Sequence, residues 1–297
     1  MTSDFVAQIF VFGIIMGALY GLASVGFTLV FGVMRVLNIA HGAFMMIGGY
    51  LSFWAFTLYH VDPLVSLLLI APSLFLIGLI FYIVQVFPVI KFTDDHDKIH
   101  TSLLISFGLS VVLENIALLL WTGDIRSITT SYAGSVLQIF NIRIPFVGIV
   151  GVALAVLFVF ALYLFLIKTR LGKSMRATAA DWKAASLMGI NTNRAYLISF
   201  AIGVALAGIA GTLVCMIHSI DPNMGLFWTL KGMIIITVAG VGNIRGVLAC
   251  GLLLGIVESL SVFIAGASYR EVVGLIILVV VLMVKPKGLF TSSGRGV

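Results

Sequence analysis

Long runs without a single charged residue constrain this chain more than any other feature of its sequence. Asp, Glu, Lys and Arg are absent from 5–34, 36–61, 63–90, 144–167 and 195–220. A helix that crosses a membrane needs about 20 consecutive apolar residues, so each of these runs can span a bilayer. A further run, 99–123, is interrupted only by Glu114, whereas 222–284 contains several charges and divides into shorter segments. We therefore predict an all-α polytopic membrane helix bundle of about eight or nine spans with glycine-rich discontinuous segments, forming a single transmembrane domain over residues 1–297.

The composition excludes the soluble protein classes. Hydrophobic residues make up 61% of the chain and charged residues 9%, against about 45–50% and about 25% in soluble domains. The net charge of +6 comes from 17 basic residues scattered among apolar runs, whereas nucleic-acid binding needs them clustered on a solvated surface. No nucleic-acid partner is expected, and membrane lipid is the expected surrounding. Cys215 and Cys250 both lie in apolar runs, which favours buried packing over a disulfide or a zinc site.

The basic residues also predict an orientation, because cytoplasmic loops are enriched in Lys and Arg. With the N-terminus outside and each run crossing once, 13 of the 17 basic residues fall on the inner side. The outer side receives Arg126, Arg143, Lys231 and Arg270. We therefore predict a multi-pass protein with a periplasmic N-terminus and a cytoplasmic C-terminus. A membrane-embedded hairpin within 229–264 would reduce the number of full spans.

The longest strongly cationic loop, 168–194, carries six basic residues and one acid, Asp181. Its middle, 174–188, is rich in alanine and other helix formers, which predicts one or two short helices that stop near Gly189. One interpretation is a basic inner loop that fixes topology. The other is a docking element for a cytoplasmic partner.

Glycine marks two further kinds of segment. The four-residue spacing of Gly13, Gly17 and Gly21, repeated at Gly251 and Gly255, predicts close helix packing. Two stretches near opposite ends of the chain, 32–42 and 239–246, instead place Asn-Ile and a basic residue among glycines. Interrupted helices in transporters expose backbone groups to water or substrate. The substrate-path candidates from these stretches are Asn38, His41, Gly42, Gly240 and Gly242.

Glu114 and Glu258 are acids within apolar runs. A charge at the bilayer centre costs about 2.5–3.5 kcal/mol on insertion scales, so each should face the bundle interior or water. They are either part of the substrate path or buried polar clamps between helices.

Motifs for catalysis, nucleotides or metals are missing. Gly240-Val-Gly242 lacks the third glycine of a dinucleotide fingerprint, and Gly172-Lys173-Ser174 lacks the first glycine of a phosphate loop. His96 and His100 lie near three aspartates of a solvated loop, which we interpret as a loop that relieves crowding at the membrane surface rather than as a metal site. The sequence predicts no enzyme activity, no metal and no cofactor.

Several motifs in order resemble the permease subunits of branched-chain amino-acid ABC importers, and most closely the shorter of their two permeases. The first is Tyr20-Gly-Leu-x-x-x-Gly26-Phe-Thr-Leu-Val-Phe-Gly32-Val-Met-Arg35-Val-Leu-Asn38-Ile-Ala-His-Gly42, followed by Gly48-Gly-Tyr50. Others are Thr169-Arg-x-Gly172-x-x-x-Arg176-Ala177, Ala180-Asp181, Gly189-Ile190, Asp221-Pro222, Lys231, 240–246, Glu258 and Pro286-x-Gly-Leu-Phe290. The family usually has two glycines where this chain has Ala239-Gly240.

The resemblance implies a transport subunit of the bacterial inner membrane that moves branched-chain or related small amino acids into the cytoplasm. The implied partners are a second homologous permease, two cytoplasmic ABC ATPases and a periplasmic solute-binding protein. The implied ATPase-coupling residues are Gly172, Arg176, Ala177, Ala180, Asp181 and Gly189. Asp181 would either pair with a basic group on the ATPase or cap a helix. The alternatives are a permease of a urea or amide ABC importer and an ion-coupled secondary transporter that uses Glu114 and Glu258.

Overall fold

The computed structural model describes residues 3–89, 95–139, 142–240, 242–286 and 288–290. The described chain is almost entirely helical, which confirms the predicted fold class. Its α-helices are α1 (Ser3–Met34), α2 (His41–Tyr59), α3 (Pro63–Phe81), α4 (Asp95–Trp121), α5 (Phe146–Lys168), α6 (Arg170–Ala180), α7 (Trp182–Leu187), α8 (Thr192–Ile217), α9 (Met224–Ala239), α10 (Ile244–Ala265) and α11 (Arg270–Val284). A π-helical turn, Tyr82–Val86, extends α3, and a 3-10 turn, Ala267–Tyr269, precedes α11. Strands β1 (Val136–Ile139) and β2 (Ile142–Pro145) form a small antiparallel hairpin.

Eight helical segments in the described residues are long and apolar enough to cross a membrane. They are α1, α2, α3 with its π-helical turn, α4, α5, α8, α10 and α11 with its 3-10 turn. Helix α9 is apolar but has only 16 residues. The difference between eight and nine spans therefore depends on α9, within the segment whose span count the sequence left open.

Basic residues separate to the two ends of the bundle, with one exception. At one end, Arg35 and Lys98 line a cavity together with residues of α6 and α7. At the other end, the Gln8 side chain in α1 bonds the backbone of Arg143 in the hairpin. Arg126 pairs through its backbone with Ile220 at this second end. This separation agrees with the grouping predicted from the sequence, and the side of the membrane that each end faces remains a prediction.

Lys231 is the exception, and its assignment to an outer loop was wrong. It lies in the middle of α9 and is buried in the bundle. The charge-free runs around it were read as separate spans, whereas a continuous helix carries Lys231 inward to a buried partner. One of the four residues counted as outer cations therefore gives no information on topology.

Small residues allow the central helices to approach closely. A methyl group built at Gly48 of α2 would overlap the backbone of Gly208 in α8, and one at Gly211 would overlap the Met45 carbonyl. In the same way, Gly13 and Gly17 of α1 face the backbone of α10 around Gly255. The predicted role of Gly13, Gly17 and Gly255 in helix packing is confirmed. Helices α1, α2, α8 and α9 together enclose most of the buried core.

Candidate functional site

Helices α1 and α2 are separated by a break at residues 35–40, which lies inside the bundle. The backbone nitrogens of Leu37 and Ile39 donate to the hydroxyls of Ser102 (3.2 Å) and Ser106 (3.0 Å) on α4. On the opposite side, Thr229 Oγ1 of α9 lies 2.8 Å from the Ile39 carbonyl oxygen and accepts from the Gly42 nitrogen at 2.9 Å. The break is therefore satisfied by hydroxyl groups of neighbouring helices. The sequence predicts exposed backbone groups at this break. The difference arises because the order of residues does not reveal which neighbouring helices supply hydroxyl groups.

Two substrate-path candidates, Asn38 in the break and His41 at the start of α2, are buried, and each retains an unused polar atom. Asn38 Oδ1 accepts from Gln85 Nε2 at 2.8 Å, while Asn38 Nδ2 has no hydrogen-bond partner among the described residues. His41 Nε2 lies 2.9 Å from the Ala23 carbonyl oxygen, and its ring stacks on Phe27. His41 Nδ1 has no partner in the same set. The break and the start of α2 thus bring a spare amide donor and a spare imidazole nitrogen into a buried region.

Gly42 and Glu114 meet at a third residue, Gly225 of α9. A methyl group at Gly42 would overlap the Gly225 carbonyl, so α2 and α9 touch backbone to backbone. Glu114 Oε1 lies beside the α-carbon of Gly225 and accepts from Ser110 Oγ at 3.0 Å. The structure therefore brings two sequence-predicted candidates to one face of α9, where Glu114 is half-buried.

Glu258 of α10 packs against α9 through Lys231, within a buried charged cluster. Its carboxylate forms an ion pair with Lys231 Nζ and accepts from the Tyr20 hydroxyl at 2.8 Å. The Lys231 ammonium also lies 5.7 Å from the Tyr20 ring centre and 5.4 Å from that of Phe227. Sequence reasoning missed both Lys231 and Tyr20. The available signal was a basic and an acidic residue, 27 positions apart, each flanked by apolar residues within the segment 222–284.

Gly240 and Gly242 lie at the end of the bundle, away from Glu258. Gly240 ends α9 with φ 94°, and Gly242 packs against Gly32 of α1. The last described residues close over this turn, because Leu289 N donates to the Val238 carbonyl at 2.8 Å and Asn243 Nδ2 donates to Phe290 O at 2.9 Å. The two glycine-rich stretches thus meet through Gly32 and Gly242.

The cationic loop folds into two short helices, as predicted. Gly172 packs against the backbone of α5, and Arg176 Nε donates to the Leu166 carbonyl at 3.1 Å. Asp181 accepts from the backbone nitrogens of Lys183 (2.9 Å) and Ala184 (3.0 Å), which is a helix N-cap. Three of the coupling candidates therefore stabilise the loop itself.

Sequence reasoning missed the most exposed apolar residues of this loop. Leu187 is 90% exposed and Met188 83% exposed at the end of α7. Gly189 ends the helix with φ 81°, a conformation that favours glycine. Of the remaining candidates, Ala180 is exposed and Ala177 half-buried. Two adjacent large apolar residues before a helix-ending glycine, in a strongly cationic loop, were the signal.

Metal ligands do not cluster in the described part of the chain. No group of three or more His, Cys, Asp or Glu residues there could hold a metal ion. Cys215 and Cys250 are buried free thiols. Of the loop considered for a metal, Asp94 and the side chains of 95–97 lie outside the described residues.

Comparison with known proteins assigns the chain to a family. Residues 9–282 match the family described as branched-chain amino acid transport system / permease component. Similar proteins include the high-affinity branched-chain amino acid transport system permease protein BraD of Pseudomonas aeruginosa, 31% identical over 93% of both chains. LivH of Salmonella typhimurium is 32% identical over 93% of this chain and 92% of the relative. The probable branched-chain amino acid transport permease protein LivH of Methanocaldococcus jannaschii is 26% identical over 93% and 90%.

No solved structure matches the chain. The family match covers nearly the whole sequence and agrees with the resemblance drawn from the motifs. The chain belongs to the family of branched-chain amino acid transport system permease components.

Proposed function

We propose that this chain is the membrane-spanning permease subunit of an ABC importer that moves branched-chain or related small amino acids into the cytoplasm. The observation that carries the proposal is the family match over residues 9–282. Residues 1–297 form one permease domain in the bacterial inner membrane, with the N-terminus periplasmic and the C-terminus cytoplasmic. The chain works with a second homologous permease, two cytoplasmic ABC ATPases and a periplasmic solute-binding protein.

The substrate path follows α9. Gly42 of α2 and Glu114 of α4 pack against this helix at Gly225, and Asn38 in the break and His41 at the start of α2 adjoin them. Their spare polar atoms and the half-buried carboxylate support a route on this side. Gly240 and Gly242 form its cytoplasmic end, where α1, α9 and the closing segment meet. Glu258 belongs to the wall of the route, since its carboxylate is already held by Lys231 and Tyr20.

The same ion pair disfavours an ion-coupled secondary transporter. Such a protein needs an intramembrane acid that can bind and release its coupling ion, and Glu258 already has a cation as its partner. A permease of a urea or amide ABC importer remains the second candidate. ATP-dependent uptake by the reconstituted complex, with leucine and urea as competing substrates, separates all three functions.

The ATPase contacts the permease through α7 rather than through the predicted coupling residues on α6. Leu187 and Met188 project from a helix that is fixed at its start by Asp181 and at its end by Gly189. Burying two large apolar side chains in a cleft on the ATPase provides about 1.5–3 kcal/mol each. Helix α6, held to α5 by Gly172 and Arg176, transmits the movement to the membrane helices.

An acidic residue at the tip of α7 tests this coupling. Leu187→Asp and Met188→Asp should abolish substrate-stimulated ATP hydrolysis by the complete complex, because an exposed apolar contact with the ATPase is replaced by a charge. Asn193→Asp places the same charge at an exposed position near the start of α8 and serves as the control. Full stimulated hydrolysis in both α7 variants would mean that the loop only fixes topology and that the ATPase docks elsewhere.

A further inference from the structure

At the end of the bundle that carries the β hairpin, a cavity of about 280 Å³ lies between helices. Apolar side chains form most of its wall, among them Ile15 and Met16 of α1 and Val147 of α5. Small-molecule sites usually measure about 300–1,000 Å³ and combine apolar walls with a few polar groups. This cavity therefore suits a ligand with a short apolar body.

One residue gives the cavity a charge. Arg270, the first residue of α11, lines it and is the only Asp, Glu, Lys or Arg among the lining residues. Arg270 Nε is buried and has no hydrogen-bond partner among the described residues. The described ion pairs, Arg126–Asp124 and Lys231–Glu258, leave Arg270 without a carboxylate. A buried guanidinium nitrogen without a partner is costly, and the group that satisfies it best is a carboxylate.

The other polar groups of the cavity are neutral or carry partial negative charge. His218, just beyond α8, has its pKa lowered by burial and by the nearby Arg270 charge, which favours the neutral imidazole. His218 Nε2 lies 2.8 Å from Met16 Sδ. The cavity also borders the C-terminus of α8 at Met216 and Ile217. The last carbonyls of a helix favour a cation.

We propose that this cavity is a binding site for a small zwitterionic amino acid with a branched apolar side chain, with Arg270 holding the α-carboxylate. The end of α8 favours the ammonium group, and Ile15, Met16 and Val147 contact the side chain. The inference rests on the proposed function, because it assigns that function's substrate class to a place in this chain. Tyr20 lies one helical turn from Met16 and Glu258 directly precedes Ser259 in the wall, so the site adjoins the buried charged cluster.

The test compares two ligands that differ in the carboxylate. Binding of L-leucine and of leucinol, which has a hydroxymethyl group in place of the carboxylate, is measured by calorimetry on the complete permease complex. The wild-type complex should bind leucine at least tenfold more tightly than leucinol. Arg270→Gln should remove this preference while changing leucinol binding by less than twofold, a result that a merely structural role for Arg270 would not give. Lys285→Gln, which removes an exposed cation at the end of α11, is the control and should keep the preference for leucine over leucinol.

A second variant keeps the inference testable where Arg270→Gln does not fold. Ser259→Leu fills the cavity from α10 and should weaken leucine binding at least tenfold. Wild-type leucine binding in Ser259→Leu, or an unchanged preference in a folded Arg270→Gln complex, would overturn the site. Failure of the proposed function has a different signature, namely no ATP-driven leucine uptake by the wild-type complex with its solute-binding protein.

Discussion

Separating the charges of the Lys231–Glu258 pair would test how much this cluster stabilises the bundle. The side chains of Lys231 and Glu258 are 4% and 1% exposed. Breaking a buried pair by removing one partner typically costs about 3–5 kcal/mol, because the other charge stays buried. Variants that remove only Lys231 or only Glu258 should lose different amounts of unfolding free energy within this range, because the charge that remains has different neighbours in each.

Lys231→Met leaves the Glu258 carboxylate with the Tyr20 hydroxyl. A hydrogen bond to a charged group contributes about 1.5–3 kcal/mol, so we expect this variant at the lower end, about 3 kcal/mol. Glu258→Leu leaves the Lys231 ammonium with only the rings of Tyr20 and Phe227 and also removes the acceptor of Tyr20. We expect this variant at the upper end, about 5 kcal/mol. The double variant Lys231→Met/Glu258→Gln contains no buried charge and keeps an acceptor for Tyr20, so most of the loss should return.

The measurement is equilibrium unfolding in mixed micelles, with detergent composition as the denaturing variable. Lys285→Met and Glu271→Gln, which alter exposed charges, are the controls and should change the unfolding free energy by less than about 0.5 kcal/mol. The reasoning is refuted if both single variants lose less than about 1 kcal/mol. It is refuted equally if the double variant is no more stable than Lys231→Met, from which it differs only by the neutralised carboxylate.

Three further predictions concern the break, the loops at the hairpin end of the bundle and α4. Gly42→Ala should destabilise the protein by several kcal/mol because its methyl group meets the Gly225 carbonyl, whereas Gly108→Ala, with open space around it, should stabilise α4 by about 0.5–1 kcal/mol in the same unfolding assay. Tyr132→Phe removes the hydrogen bond to Asp62 Oδ1 (3.0 Å) and should lower the free energy of unfolding by about 1 kcal/mol. Tyr59→Phe, at an exposed position, is the control. Burial and the Asp62 contact raise the pKa of Tyr132 to about 12 in the folded protein, against about 10 in the unfolded chain. The stability difference between wild type and Tyr132→Phe should therefore be fully present below the unfolded pKa of about 10. It should disappear as the pH rises through the folded pKa. Glu114→Gln keeps an acceptor for Ser110 and should fold normally. If the Glu114 charge lines the path, substrate uptake should fall at least tenfold in this variant. Normal uptake would instead identify Glu114 as a buried polar clamp between helices.

The sequence was sufficient for the architecture because the relevant signals are local. Charge-free runs predict the spans, and the spacing of Gly13, Gly17 and Gly255 predicts close helix packing, which the structure places between α1 and α10. The alanine-rich segment after Ser174 gives the short helices of the cationic loop.

The details of the site depend on which helices become neighbours, and the pattern of a single sequence does not predict those helix pairs. Glu258 was recognised as an intramembrane acid, but its partners Lys231 and Tyr20 come from other helices. The hydroxyls of Ser106 and Thr229, which satisfy the break, lie 67 and 190 positions from the residues they bond. Asp181 was left between two roles, and only the backbone geometry of Lys183 and Ala184 identifies it as a cap.

The packing of α1 against α10 has a consequence for the order in which this protein is made. Tyr20 is synthesised early, but the carboxylate that accepts its hydrogen bond is 238 residues further along the chain. Until α10 leaves the ribosome, α1 exposes a glycine-lined groove and an unsatisfied phenol to lipid or to the insertion machinery. Contacts between residues this distant in sequence form late and slowly. The N-terminal helix therefore needs protection during most of translation, and a ribosome stalled before residue 244 would leave a membrane-inserted chain with its central helix pair unformed.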